Sequence, residues 1–236
     1  MRVPGIVLGL LLAMLVTGAV GDAAAQAPAP PPIVGNVYTV TYVEVMPTST
    51  AEALAHLKRY VQAARKEDGN VRCEIVQRID EPNQFVVLAV WKDQPAFEAH
   101  GKGASWSDMR EKVTAIRNAP IDQRVHGALS VGPVDWKPAP GAVVVVTHVD
   151  VIPPRKDDGV AAVKQLAEES RKGDGNVMFE VVQQNNRPNH FTVVEMWKTA
   201  KAVTAHSMAP ATREFRDKLA PATGALYDER KYRPVE

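Results

Sequence analysis

The 236-residue chain has one cysteine, Cys73. That excludes an intramolecular disulfide and every zinc or iron–sulfur site built on several thiolates. Charge of one sign is missing as well: 28 basic and 27 acidic side chains leave a formal +1. A nucleic-acid binder would carry a basic excess, so that class is excluded. Gly-rich phosphate loops, dinucleotide fingerprints and Gly-x-Ser-x-Gly elbows are absent. None of the six histidines stands at the i, i+4 spacing of a helical zinc motif. No cofactor and no metal site is therefore expected. Aromatics make up only 6% of the chain, but the hydrophobic set reaches 45%, enough to build a core.

An apolar run of membrane-spanning length is also lacking. Ile6 to Val16 falls short of the ~20 residues that cross a bilayer. It follows Arg2 and precedes Ala23-Ala24-Ala25, the order of an export signal with its cleavage site. An uncleaved anchor is the competing reading. The expectation is a signal peptide over 1–25, then a stiff Pro-rich tether over 26–36. The mature protein would be periplasmic or secreted, with no membrane contact after cleavage.

What the sequence does contain is an internal repeat, offset by 106 residues. Arg65-Lys66 with Asp68-Gly69-Asn70-Val71 returns as Arg171-Lys172 with Asp174-Gly175-Asn176-Val177. Pro82-Asn83, Trp91-Lys92, Ala99-His100 and Arg110 return as Pro188-Asn189, Trp197-Lys198, Ala205-His206 and Arg216. Without a gap, 27 of the 73 positions from 40 to 112 match their partner. The chain is a tandem duplication, with units at 37–132 and 143–233 and a linker at 133–142.

Each unit opens with an alternating, strand-like run stopped by Pro47 or Pro153. Leu54, Leu57, Val61 and Ala64 then step at helical spacing, as do Val160, Val163, Ala167 and Ser170. Two strands joined by a turn follow, then a helical region and a last strand. The order β-α-β-β-α-β is the split βαβ, or ferredoxin-like, arrangement. Strand three of the first copy, Phe85 to Val90, is apolar on both faces, so both need cover. The expectation is an α+β protein in which two ferredoxin-like units pack sheet to sheet as one intramolecular dimeric barrel. The monomer is then a pseudo-dimer, with further self-association open.

Asp174-Gly175-Asn176, Pro188-Asn189-His190-Phe191, Glu195-Met196-Trp197-Lys198 and Ala205-His206 resemble the antibiotic biosynthesis monooxygenase-like superfamily of dimeric α/β barrels. That group includes small quinol monooxygenases, and the resemblance runs through nearly all of both copies. It implies oxygenation without metal or flavin, although isomerases, haem degraders and proteins of unassigned role share the scaffold. The haem-degrading branch asks for an asparagine on strand one and a histidine on the last helix. Here those places hold Tyr42 or His148, and Arg110 or Arg216. Arginine offers iron no lone pair. Copy one departs from the pattern in having Ala89 where copy two has Glu195, and reads as a partly degenerate half.

His206 and His100 share a helix face with small and apolar residues, so each imidazole should turn inward. An inward histidine can take a proton from a phenolic substrate, or merely hold its helix down. Trp197 and Trp91 can stack on an aromatic ring or fill core. His148 and Tyr42 can bond a quinone oxygen or satisfy backbone. Arg216 can polarise an anion or sit in a solvated salt bridge. Glu195, in an apolar neighbourhood, should pair with a cation or titrate high. Cys73 has Phe179 as its repeat partner and reads as core filler. Glu74 and Glu180 read as structural or exposed.

The leading reading is an exported, cofactor-independent monooxygenase-like enzyme. His206, or His100 in the other copy, would deprotonate a small aromatic or quinol-type molecule, and the resulting anion would reduce O2 directly. Trp197, Trp91, His148, Tyr42, Glu195 and Arg216 would line the pocket. The alternatives are a non-catalytic small-ligand or structural barrel, and an isomerase on the same scaffold.

Overall fold

The computed structural model describes residues 30–133 and 135–235. The expected signal peptide lies outside the described residues, as does the tether before Pro30. Unit one runs β1 (Val37–Glu44), α1 (Thr50–Ala64), β2 (Asn70–Arg78), β3 (Gln84–Trp91), α2 (Gln94–Gly101), α3 (Ala104–Ile116) and β4 (Asp122–Ser130). Unit two repeats the order with β5 (Val143–Asp150), α4 (Lys156–Ser170), β6 (Asn176–Gln184), β7 (His190–Trp197), α5 (Ala200–Ser207), α6 (Pro210–Leu219) and β8 (Asp228–Pro234). The second helical region is thus two helices, with Gly101-Lys102-Gly103 forming the break in unit one. Among the described residues no helix is long and apolar enough to cross a membrane.

Local chemistry accounts for these elements. Helix α1 buries Ala53, Leu57, Tyr60, Val61 and Ala64, positions that recur at helical spacing. Asp93 caps α2 by accepting the Ala96 N–H at 2.8 Å, and Thr199 does the same for α5 at 3.2 Å. Gly69, at φ +81°, turns the chain from α1 into β2, and a Cβ there would lie 2.6 Å from that of Ala96. Glycine is therefore needed for both conformation and close approach.

Strand order within each unit is that of the ferredoxin-like sheet, β4-β1-β3-β2 and β8-β5-β7-β6. The two sheets join at both edges into one closed eight-stranded barrel. One seam pairs Val76 with Pro234 and Arg78 with Tyr232, and the other pairs His126 with Gln184 and Ala128 with Val182. Neither unit is left with an open edge at these strands. Strand alternation gives β3 two buried faces. Phe85, Val87, Ala89 and Trp91 pack under the helices of their own unit. Val86 and Leu88 join Val144, Val146, Met196 and Tyr232 in a core shared by both units.

The barrel interior also holds a charge pair. Arg72 of β2 donates to Glu180 of β6 at 3.0 and 2.7 Å, and both side chains are buried. The expectation that Glu180 is structural or exposed is corrected to its first half. Closing the barrel turns that face of β6 inward, where an acid needs the bidentate partner that Arg72 supplies. Cys73 is core, with its thiol pushed up to about 12 by burial.

Candidate functional site

On β7, Glu195 and Trp197 face the helices, while Val194 and Met196 face the barrel interior. Helix α5 lays His206 on Trp197, the rings stacked at 4.5 Å and 26°. Glu195 Oε2 accepts the Trp197 indole N–H at 2.7 Å and lies 3.4 Å from His206 Nε2. On the other side of the ring, Nδ1 lies 3.4 Å from Thr212 Oγ1, whose hydroxyl donates to the His206 carbonyl at 2.7 Å. Burial pushes the Glu195 carboxyl up to about 8. Burial, followed by the charge of Arg216, pushes His206 down to about 4. Near neutral pH the two groups are thus a carboxylic acid beside a neutral imidazole, and their 3.4 Å approach is not an ion pair. A cavity of about 180 Å³ opens beside this couple, lined in part by Ser170, Gly173, Trp197, Ala211, His206 and Thr212.

Arg216 borders the same region. It donates to the Ser207 carbonyl at 3.1 Å, pairs with Glu229 at 3.3 Å, and lies 5.6 Å from the Tyr227 ring centre. Tyr227 is raised by burial, then by Glu229 and Glu195. Thr212, Tyr227 and Glu229 were not legible as site residues. Tyr227 and Glu229 arrive with the last strand, far from the recognisable motifs in sequence.

Unit one builds a different network on the same frame. His100 stacks on Trp91 at 4.3 Å and 24°, as its counterpart does on Trp197. Ala89, however, brings no carboxylate, and the buried Trp91 indole N–H has no partner among the described residues. Glu67, from the α1–β2 turn, meets His100 Nδ1 at 2.7 Å. His100 Nε2 lies 2.9 Å from the Tyr60 hydroxyl, and Ser105 donates to the other oxygen of Glu67. An open cleft of about 770 Å³ runs past Glu67, His100, Ser105 and Lys92.

His148 and Tyr42 do not join either histidine. His148 pairs across β5–β7 with Thr192, one step out of phase with Glu195 and Trp197, so it faces the barrel interior. There its Nε2 meets His190 Nδ1 at 3.2 Å, and burial with Arg124 pushes it down to about 4. Tyr42 lines a separate cavity of about 190 Å³ with Arg124, Arg230 and Tyr232. The single pocket expected from the sequence is therefore two sets on opposite faces of one sheet. Among the described residues no group of three or more His, Cys, Asp or Glu side chains could hold a metal ion.

The family model for antibiotic biosynthesis monooxygenase matches the chain twice, over residues 36–112 and 142–218. The chain belongs to this family. A Bacillus subtilis relative named "Putative monooxygenase YcnE" is 32% identical over 81 residues, covering 34% of this chain and 85% of its own. A Fusobacterium nucleatum structure titled a "Putative monooxygenase" superposes with a TM-score of 0.76 at 14% identity, covering 86% of this chain and 94% of the other. An anthrone oxidase-like protein superposes at 0.70, also at 14% identity, covering 87% and 95%. At such identity these two show the fold alone. Each monooxygenase domain of the pair keeps the stacked histidine and tryptophan, and the surroundings of that pair differ between them. In the second, His206 lies between the cavity and the buried Glu195 carboxyl group.

Proposed function

We propose that the chain is a cofactor-independent oxygenase that oxidises a single-ring phenol or quinol-type molecule with O2 in its second unit. The observation that carries this reading is the His206–Glu195 couple beside the 180 Å³ cavity. An apolar cavity of about 150 Å³ accommodates a benzene ring, so this space suits one aromatic ring. Gly173 lines this space, and a Cβ there would lie 3.0 Å from the Ser170 carbonyl oxygen and 3.4 Å from the Trp197 ring.

Above about pH 8, where Glu195 is ionised, the substrate hydroxyl gives its proton to His206, which passes one on to Glu195. At about 4 the imidazole alone is a weak base, so Glu195, poised at about 8, is the final acceptor. The phenolate transfers an electron to O2, and the resulting radicals combine as a carbon hydroperoxide. Loss of water then leaves a carbonyl. The ring position goes from CH2, in its keto form, to C=O. One oxygen atom enters the product and the other leaves as water, so O2 takes all four electrons from the substrate. Arg216 supplies positive charge near the developing anion.

Oxygen uptake on a panel of single-ring and fused-ring phenols tests this. Uptake with single-ring members, lost in His206→Ala and in Glu195→Gln, is the expected result. Ligand binding without uptake would make the chain a binder, and uptake that survives both substitutions removes the proposed base. The leader-like N-terminus supports an exported location, to be checked by N-terminal sequencing of the mature protein.

A further inference from the structure

The unused chemistry of the molecule lies in unit one, at Tyr60. We propose that Tyr60 is a redox-active tyrosine, a hydrogen-atom donor that quenches peroxyl radicals in the adjoining cleft through the chain Tyr60–His100–Glu67. This reading does not rest on oxygenation in unit two.

The Glu67 carboxylate beside Nδ1 selects the tautomer that carries its proton there and leaves Nε2 free to accept. His100 Nε2 accepts from the Tyr60 hydroxyl at 2.9 Å, and its Nδ1–H donates to Glu67 at 2.7 Å. Glu67 and Ser105 reach the cleft wall. Tyr60 is only 5% exposed and His100 3%, so Tyr60 communicates with solvent through this relay. Burial holds the Tyr60 hydroxyl well above its ordinary value, which closes off simple ionisation. Loss of an electron makes the phenol strongly acidic, and a waiting imidazole then takes the proton. Trp106 lies 6.1 Å from the Tyr60 ring and 5.7 Å from His100, with Trp91 stacked on His100 at 4.3 Å. The four rings form one cluster, and His100 is the member that borders the cleft.

The duplication supplies an internal control. At the 106-residue offset, Tyr60, Glu67, Ser105 and Trp106 correspond to Leu166, Gly173, Ala211 and Thr212. Both ends of the relay are absent from unit two, while the histidine–tryptophan stack is common to both. Among the described residues Tyr60 is the one tyrosine whose hydroxyl bonds a histidine.

The step balances as ROO• + Tyr60–OH → ROOH + Tyr60–O•. The electron passes from the Tyr60 ring to the peroxyl oxygen. The Tyr60 proton moves to His100 Nε2, the Nδ1 proton moves to Glu67, and Glu67 delivers a proton to the hydroperoxide.

To test it, the full chain is exposed in air to peroxyl radicals from a water-soluble azo initiator, then frozen for electron paramagnetic resonance. Wild type should give a tyrosyl signal that Tyr60→Phe loses and Tyr232→Phe retains, Tyr232 being buried without a histidine partner. His100→Gln, which lacks a basic nitrogen, should lower the radical yield, with its fold checked by circular dichroism. An undiminished signal in Tyr60→Phe or in His100→Gln overturns the proposal. If Tyr60→Phe fails to fold, Glu67→Gln interrupts the relay from its far end. A lower yield there supports the relay, and an unchanged yield overturns it.

Discussion

Two histidines occupy equivalent positions, stack on equivalent tryptophans and hang from equivalent helices, yet their acidic partners come from different places. In unit two the carboxyl rises from the strand as Glu195, bonds the indole N–H and titrates high because it is buried. In unit one it comes from the turn as Glu67, which is part-exposed, and the indole N–H goes unpaired. Duplication kept the hydrophobic frame and let the proton-carrying groups drift. The packing of the tryptophan and the helix constrains shape, whereas a carboxylate can reach an imidazole from more than one direction. The result is one cavity beside a buried carboxyl in unit two, and one buried tyrosine bonded through a histidine to a cleft-side carboxylate in unit one.

The largest expected effect separates the two pockets by activity. Glu195→Gln and His206→Ala should each lower oxygen uptake by about 10²–10⁴, the usual worth of a general base, while His100→Ala leaves it within a few-fold. Equal losses at His100 and His206 would erase the distinction between the units. Next comes the pair that joins them. Glu180→Ala strands Arg72 in the interior and should cost ~3–5 kcal/mol in urea unfolding, with one transition for both units because the barrel closes across them. Two separated transitions would mean that the halves fold alone.

The third effect is pH dependence. Glu195 holds its proton more tightly when folded, so its contribution to stability is complete below about pH 4.5 and is lost as pH rises to about 8. Wild-type stability relative to Glu195→Gln should therefore fall by ~3–5 kcal/mol across that window. His206 acts oppositely. Its folded value is depressed, so stability is complete above about 6.5 and declines as pH falls toward about 4. Thermal melts of wild type, Glu195→Gln and His206→Ala between pH 4 and 9 check both signs.

The smallest effect compares the indoles. Trp197→Phe takes the donor from a buried carboxyl and should cost ~1.5–3 kcal/mol. Trp91→Phe removes a donor that has no partner, and should cost less than half as much. Equal costs would mean that the Trp91 N–H finds a partner in solution.

Much of the fold could be read from the residues. The 106-residue offset, the Pro stops after β1 and β5, and the Asp-Gly-Asn turns are local signals, and each marks a boundary that backbone chemistry enforces. The inward turn of His100 and His206 was legible too, because helical periodicity settles which face is buried. The partition of the candidate residues was not. His148 and Glu195 lie on neighbouring strands, and only the pairing of His148 with Thr192 reveals that they face opposite ways. A one-residue change of register would reverse that conclusion. Neither Tyr60 nor Glu67 stands out in the sequence, since nothing in a linear pattern brings either to His100.

The sequence by itself determined the duplication, the element order and the inward turn of His100 and His206, because these follow from local periodicity and repeated motifs. Only the tertiary structure decided which acid each histidine meets, that Glu180 and Arg72 meet inside the barrel, and that His148 faces the barrel interior, away from His206. Those outcomes depend on strand register and sheet closure. They join residues far apart in the chain, and no local preference specifies such contacts.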